Sequence, residues 1–348
     1  MLTSLPVLML ALGAVAGSAA VARLGSRRAL ALGLVIVGLA SGLRGAGGVA
    51  SLFAASAALG IGIATLQPTM PSVAQAWFPS AVGFATSVYG NGIVVGEAAA
   101  ASLTLPFVLP VAASWQGALA AWGLPAFGAV ALLAFRFTKT PATVQATQEQ
   151  PKKWWPDWSH GITWRVGLLQ GGGSVLYFGT NAFVATELHA VGQPGLVAAC
   201  LAALNTSQLG ASFIVAALSR RAARPHGLLA ACGVIALAGL VGLVAAPAQL
   251  GVAGCALVGV SSAVCFVVAI SLPPLLSGPG DAHRMAAATL TIGYIAAFVF
   301  PLAGGYAWDL TGHPAVAFAP AAGGAILLGV ALVWPGRSAR KLADLRVR

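Results

Sequence analysis

Residues 250–272 read LGVAGCALVGVSSAVCFVVAISL, a run of 23 residues that contains no Asp, Glu, Lys or Arg. An α-helix needs about 20 apolar residues to cross the hydrocarbon core of a bilayer, so this run predicts a membrane-spanning helix. Ten further stretches meet the same criterion. The eleven predicted spans are 2–22, 29–47, 50–73, 83–108, 116–135, 164–186, 195–218, 227–246, 250–272, 286–307 and 315–334. We therefore predict an all-α membrane protein.

The composition of the whole chain supports this prediction. Of its 348 residues, 59% are hydrophobic and 7% are charged, whereas soluble domains contain about 25% charged residues. Such a surface excludes a soluble enzyme, a nucleic-acid-binding protein and a disordered chain. The cysteines lie inside apolar runs without metal-ligand spacing, so we expect small buried side chains and neither a metal nor a cofactor. These cysteines are Cys200, Cys232, Cys255 and Cys265.

A polar stretch at 136–163 interrupts the apolar pattern. It predicts a linker between a membrane half at 1–135, with five helices, and a second half at 164–335, with six. Of the 18 Lys and Arg residues, 17 fall on the side of this linker and of the basic tail at 336–348, and Arg44 alone falls on the other side. By the positive-inside rule, the linker and the C-terminus are expected in the cytoplasm.

Short internal matches relate the two predicted halves to each other. Ala85–Gly90 matches Ala288–Gly293 at an offset of 203 residues, and Pro71 meets Pro274 at the same offset. These matches map the first five spans onto the last five and leave the span at 164–186 without a counterpart. The repeat and the charge pattern both predict a further helix ahead of residue 1, which would give six helices in each half.

Residues 17–28, GSAAVARLGSRR, combine glycines with basic residues directly after the first span. This pattern resembles the loop after the second helix in the major facilitator superfamily, where a glycine and an acidic residue precede Arg, Gly and further basic residues. Ala22 stands in the position of that acid. The resemblance implies a gating loop, formed by Arg23, Gly25, Arg27 and Arg28.

Three further stretches resemble the cyanate-transporter branch of that superfamily, which also includes 2-nitroimidazole transporters. They are Leu2–Val7, Ser174–Phe178 and, with Gly293, Tyr294, Pro301 and Gly304, Asp309–Gly312. The resemblance implies a fold of two six-helix halves that lacks its first helix here. It also implies transport of a small solute, for example a small anion such as cyanate or a related compound.

Four polar residues form the strongest candidate site in the chain. Gln170, Ser174, Tyr177 and Asn181 are spaced i, i+4, i+7 and i+11, which places them on one face of the predicted helix at 164–186. Polar side chains inside a membrane are costly unless they face protein or water. The face is therefore interpreted as the wall of a substrate cavity, with interhelical hydrogen bonding as the alternative.

Other polar residues of the predicted spans extend this candidate substrate-binding set. They are Gln67, Tyr89, Asn205, Gln208 and Tyr294. Glu97 is the one carboxylate inside the predicted spans, and it is interpreted either as a coupling or ligand-binding acid or as a structural acid paired with a donor. Arg44, at a helix end, either extends to the membrane surface or attracts an anion into the cavity.

The sequence predicts a secondary active transporter that works by alternating access. The alternatives are a non-transporting membrane sensor or scaffold on the same fold, and an inactive truncated carrier. The GxGD pattern at Gly278–Asp281 resembles that of intramembrane proteases, but Asp309 falls at the opposite membrane face, so no enzyme is expected. We expect a monomer in the bacterial inner membrane, with a small solute and lipid as partners and without nucleic acid.

Overall fold

The computed structural model describes residues 4–136, 153–156, 158–211, 214–215, 225–278 and 280–330, and these residues form helices and turns without a β-strand. The first half contains α1 (Ser4–Leu24), α2 (Ser26–Leu43), α3 (Val49–Trp77), α4 (Val82–Leu103), α5 (Trp115–Ala121) and α6 (Leu124–Arg136). The second contains α7 (Gly161–Ala190), α8 (Val197–Thr206), α9 (Pro225–Ala245), α10 (Pro247–Leu276), α11 (Ala282–Thr311) and α12 (Ala319–Val330). After α4 the chain continues through a π-helix at Thr104–Val108 and one α-helical turn at Leu109–Ala112.

Every predicted span coincides with helical residues, which confirms the all-α membrane fold. Within the described residues, seven helices are long and apolar enough to cross a membrane, or eight if the bent pair after α4 counts as one span. α7 is not among these seven because its 30 residues include polar side chains such as Gln170 and Asn181. The predicted spans 195–218 and 315–334 lie partly outside the described residues, as do most of the linker and the whole tail.

The contacts between Cα atoms divide the chain into two compact units. Unit 1 consists of Met1–Thr86, Ala99–Asp157 and Pro273–Thr291, and unit 2 consists of Ser87–Ala98, Trp158–Leu272 and Ile292–Arg348. α4, α10 and α11 each contribute residues to both units. The linear division into halves at 1–135 and 164–335 stays a prediction from the sequence.

Small residues bring the first helices of unit 1 together. A Cβ atom on Gly17 of α1 would lie 2.5 Å from the Ala64 carbonyl oxygen of α3. A Cβ atom on Gly62 of α3 would lie 2.9 Å from the Val37 side chain of α2. Close backbone approach at small residues is the usual way in which membrane helices pack, since lipid removes the hydrophobic advantage of larger side chains.

α7 is the central helix of unit 2, and its glycines contact three other helices. Gly167 packs against Ile292 of α11, Gly172 against the Gly324 backbone of α12, and Gly173 against Cys265 of α10. These close contacts hold the orientation of α7 about its own axis. The orientation decides which partner each residue of its polar face meets.

The cysteines occupy buried positions, as the sequence predicts. Cys200, Cys232, Cys255 and Cys265 are all buried and carry free thiols. Cys265 is one of the small side chains that pack against the glycines of α7. Their role in the described structure is to fill space between helices.

Candidate functional site

Tyr177 of α7 is the centre of a polar group in unit 2. Its hydroxyl donates a hydrogen bond of 2.7 Å to Asn205 Oδ1 of α8. The Asn205 amide nitrogen donates in turn to the Leu201 carbonyl oxygen at 2.8 Å, one turn earlier on the same helix. Both polar atoms of the Asn205 amide are therefore engaged, and the amide is held in one orientation.

Gln208 and Asn181 also hydrogen-bond to the Tyr177 hydroxyl. A phenol has a single proton to donate, and Tyr177 gives that proton to Asn205. The amides of Gln208 and Asn181 must therefore donate N–H groups to the phenolic oxygen. The distance in sequence is large, because Gln208 lies in the turn of 3₁₀-helix at Ser207–Gly210 that follows α8.

Glu97 of α4 completes this group, because its carboxyl group lies within electrostatic range of the Tyr177 hydroxyl. We call Glu97, Tyr177, Asn181, Asn205 and Gln208 the polar cluster. All five belong to unit 2. The structure thus brings together five candidate residues that the sequence places on three separate predicted spans.

Solvent exposure changes across the polar cluster. Gln208 is buried, with 6% of its surface exposed. Tyr177, Asn181 and Asn205 are half-buried, and Glu97 is exposed. The cluster therefore extends from the packed interior of unit 2 to an accessible carboxylate, so a small polar molecule can reach its outer members.

The first two residues of the predicted polar face have a more buried environment than Tyr177 and Asn181. Gln170 is 3% exposed and Ser174 is 8% exposed. Gln170 packs tightly on α11, since a Cβ atom on Gly293 would lie 2.5 Å from its Cγ. The accessible part of the face is consequently its second half.

The remaining candidates lie elsewhere in the fold. Tyr89 donates a hydrogen bond of 3.3 Å to the Ile270 carbonyl oxygen of α10, and Tyr294 of α11 is buried. Gln67 is half-buried in unit 1. Arg44 is the C-cap of α2, in unit 1, and its Nε is buried without a hydrogen-bond partner in the described residues. The roles of these four residues stay predictions.

The predicted gating loop forms the tight junction between α1 and α2. Gly25 has φ 80°, a left-handed conformation that favours glycine. Arg27 Nη2 donates a hydrogen bond of 3.1 Å to the Leu133 carbonyl oxygen of α6, while Arg23 and Arg28 are exposed. Ala22, in the position of the family's acidic residue, is buried with 4% of its surface exposed.

One functional candidate was missed by the sequence analysis. The prediction that Glu97 is the one carboxylate inside the spans is wrong, because α7 continues four residues past 186 to Ala190. Glu187 lies in this extension and is 3% exposed, and its Oε2 has no hydrogen-bond partner in the described residues. The continuation of helix-compatible residues after 186 was the available signal.

A second group that the sequence analysis missed consists of long-range bonds within unit 1. Gln75 of α3 donates to the Pro274 carbonyl oxygen at 2.7 Å, and Ser18 of α1 donates to that of Trp154 at 2.7 Å. Arg284 of α11 forms an ion pair with Asp281 at 2.8 Å and donates to the Trp155 carbonyl oxygen at 2.7 Å. These bonds attach residues 153–156, at the end of the predicted linker, to α1 and α11.

Comparisons with known proteins place this fold and site in a class. The profile of the Major Facilitator Superfamily matches residues 1–301. The chain is 27% identical over 315 residues to the uncharacterized transporter YycB of Bacillus subtilis (strain 168), covering 89% of this chain and 77% of that protein. It is also 27% identical over 332 residues to the cyanate transport protein CynX of Escherichia coli (strain K12), covering 90% and 81%.

Solved structures show the same fold. The outward conformation of the transporter FucP superposes with a TM-score of 0.74 at 15% identity, covering 99% of this chain and 90% of that one. The human organic anion transporter MFSD10 superposes with a TM-score of 0.69 at 16% identity, covering 95% and 82%. The protein is thus a multi-pass membrane protein of the transporter class. It belongs to the major facilitator superfamily, whose members are transporters rather than enzymes.

Proposed function

We propose that this protein is a secondary active transporter that moves a small polar solute by alternating access, and that the polar cluster is its binding site. The observation that carries the proposal is the convergence of Tyr177, Asn181, Asn205, Gln208 and Glu97 on one hydroxyl group. Transporters of this class bind substrate near the middle of the membrane and open alternately to its two sides. Membership of the superfamily supports the transport activity.

A purely structural role is the competing explanation for the polar cluster. Hydrogen bonds between membrane helices average about 0.6 kcal/mol, and a single such bond can serve as a structural contact. The cluster instead gathers three hydrogen bonds and a carboxyl group around Tyr177. Its outer members also remain partly accessible. Both features favour a binding site, which is the function that the experiment below tests.

The identity of the solute has to come from the site rather than from the name of a relative. Cyanate is the solute in the name of the E. coli relative, and it is the small anion that the sequence analysis favoured. That relative is 27% identical to this chain. Cyanate is therefore the first compound to be measured, together with other small solutes.

The test is solute uptake by proteoliposomes that contain the full chain. The wild-type protein should accumulate at least one solute of a small-molecule panel above empty liposomes. Asn181→Leu should abolish this uptake at a normal protein level, because it removes the amide that donates to Tyr177 and blocks the accessible side of the cluster. Thr180→Val is the matched control, since the Thr180 hydroxyl donates to Leu176 within its own helix. Absence of uptake of every solute by the wild-type protein would contradict transport, and full uptake by Asn181→Leu would remove the cluster from the binding site.

We further propose that Glu97 carries the coupled proton. Its carboxyl group is the accessible titratable member of the polar cluster. Glu97→Gln should therefore reduce the dependence of uptake on external pH, because an amide cannot bind and release a proton in this range. The measurement is the initial uptake rate at a series of external pH values. An unchanged pH profile would assign coupling to another group, for which buried Glu187 is the next candidate.

The orientation in the membrane is part of the same proposal. We propose that the protein lies in the bacterial inner membrane as a monomer, with the linker and the C-terminus in the cytoplasm. The distribution of basic residues supports this orientation. In this arrangement the gating loop, with Arg23, Gly25, Arg27 and Arg28, faces the cytoplasm together with residues 153–156.

A further inference from the structure

The hydrogen bonds inside the polar cluster leave mainly acceptors for a bound solute. The Tyr177 proton is donated to Asn205, and the Asn205 amide nitrogen donates to Leu201. Gln208 and Asn181 each direct an amide N–H toward the Tyr177 oxygen. What these bonds do not use are the amide carbonyl oxygens of Asn181 and Gln208 and the carboxylate oxygens of Glu97, all of which accept hydrogen bonds.

The charge around the polar cluster has the same preference. Glu97 is the charged group that acts on Tyr177. α4 and α8 contain no Lys or Arg. α7 contains one, Arg165, which precedes Tyr177 by twelve residues, or about 18 Å along the helix axis. No basic side chain of these three helices is thus close enough to neutralise a bound anion.

We propose that the polar cluster selects small nitrogen-rich solutes that present N–H donors, of the amidine and guanidine class, over small anions. The proposal rests on the proposed function and names the substrate class of the same site. Two N–H groups of such a solute pair with the two oxygens of Glu97, a geometry that strengthens the hydrogen bonds of planar nitrogen cations to carboxylates. Further N–H groups meet the amide oxygens of Asn181 and Gln208. A small anion such as cyanate would instead bring a negative charge toward Glu97 and find few donors.

Matched pairs of solutes test this selectivity directly. Formamidinium and formate, acetamidinium and acetate, and guanidinium and nitrate have closely similar planar shapes and opposite charges. Binding of each compound, and of cyanate, to the detergent-solubilised full chain is measured by calorimetry and by the shift of the melting temperature. The nitrogen cation of at least one pair is expected to bind at least tenfold more tightly than its anion partner.

Two isosteric variants locate the selectivity in the chain. Glu97→Gln is expected to reduce the preference for the cation by at least tenfold, because it replaces a charged acceptor by an amide at an exposed position. Glu187→Gln makes the same chemical change at the buried carboxyl group six residues after Asn181, and it should leave the preference unchanged. Equal reduction by both variants would show that the effect is not specific to the polar cluster, and it would overturn the proposal.

Other outcomes also decide the question. Tighter binding of the anion in the pairs, tighter binding of cyanate, or binding of no nitrogen compound would each overturn the selectivity. Uptake of anions by proteoliposomes, abolished by Asn181→Leu, would overturn the selectivity alone and would leave the transport function supported. Absence of uptake of every solute would contradict the transport function itself, so the two failures are distinguishable.

Discussion

Tyr177→Leu is expected to abolish solute uptake in proteoliposomes while the protein still inserts and purifies at a normal level. The substitution removes the hydroxyl that joins Asn205, Gln208 and Asn181. Three side-chain amides then lose a common partner, and each hydrogen bond contributes about 0.5–1.5 kcal/mol. The combined loss corresponds to a decrease in affinity of about tenfold or more. The measurement is the initial uptake rate per amount of inserted protein.

Tyr177→Phe separates the hydroxyl from the ring. It keeps the edge-on contact with Phe178, whose ring centre lies 5.1 Å away, and it removes the oxygen alone. We expect a partial loss of uptake, about two- to tenfold, because Asn205, Gln208 and Asn181 can rearrange around the vacant position and admit water. Uptake by Tyr177→Leu within twofold of the wild-type rate would show that Tyr177 is a structural residue outside the binding site.

Gly324→Val is expected to lower the melting temperature of the purified protein by several degrees. A Cβ atom at this position would lie 2.7 Å from the Gly172 carbonyl oxygen of α7, and backbone cannot move aside as a flexible side chain can. Overpacking of this kind typically costs about 1–3 kcal/mol. Since Gly172 precedes Tyr177 by five residues on α7, we expect substrate affinity to fall as well.

Gly323→Val is the matched control for this substitution. Gly323 is the preceding residue of α12 and is exposed, and a Cβ atom there would meet no other atom within 4 Å. Both variants replace a helical glycine by the same residue, so the effects of valine on helix propensity cancel in the comparison. Equal melting temperatures for the two variants would contradict a close contact between α7 and α12.

Much of the candidate site could be predicted from α7 alone. The spacing of Gln170, Ser174, Tyr177 and Asn181 depends on local helix geometry, which the sequence carries directly. Their environments could not be predicted. Gln170 is buried against Gly293, while Asn181 is partly accessible, and this difference depends on which helix packs against each end of the face.

The end of α7 shows a different limit of the sequence analysis. A search for apolar stretches ends the span at 186, because Glu187 and His189 lower the hydropathy. The backbone hydrogen bonds of the helix continue to Ala190 regardless of side-chain polarity, and packing in unit 2 buries Glu187. The position of a carboxyl group in the membrane region therefore depended on packing that hydropathy does not describe.

The amino-acid sequence alone established the membrane class, the positions of the helices and the superfamily, because apolar length and short motifs are local properties of the chain. It also identified every member of the polar cluster as a candidate, since polar side chains are rare in membrane helices. Only the tertiary structure showed that Tyr177 binds Asn205, 28 residues later, and that Glu97 of α4 lies beside them. Such contacts depend on how the glycines of α7 let α10, α11 and α12 approach, and a periodic sequence pattern indicates the face of a helix but not its neighbour.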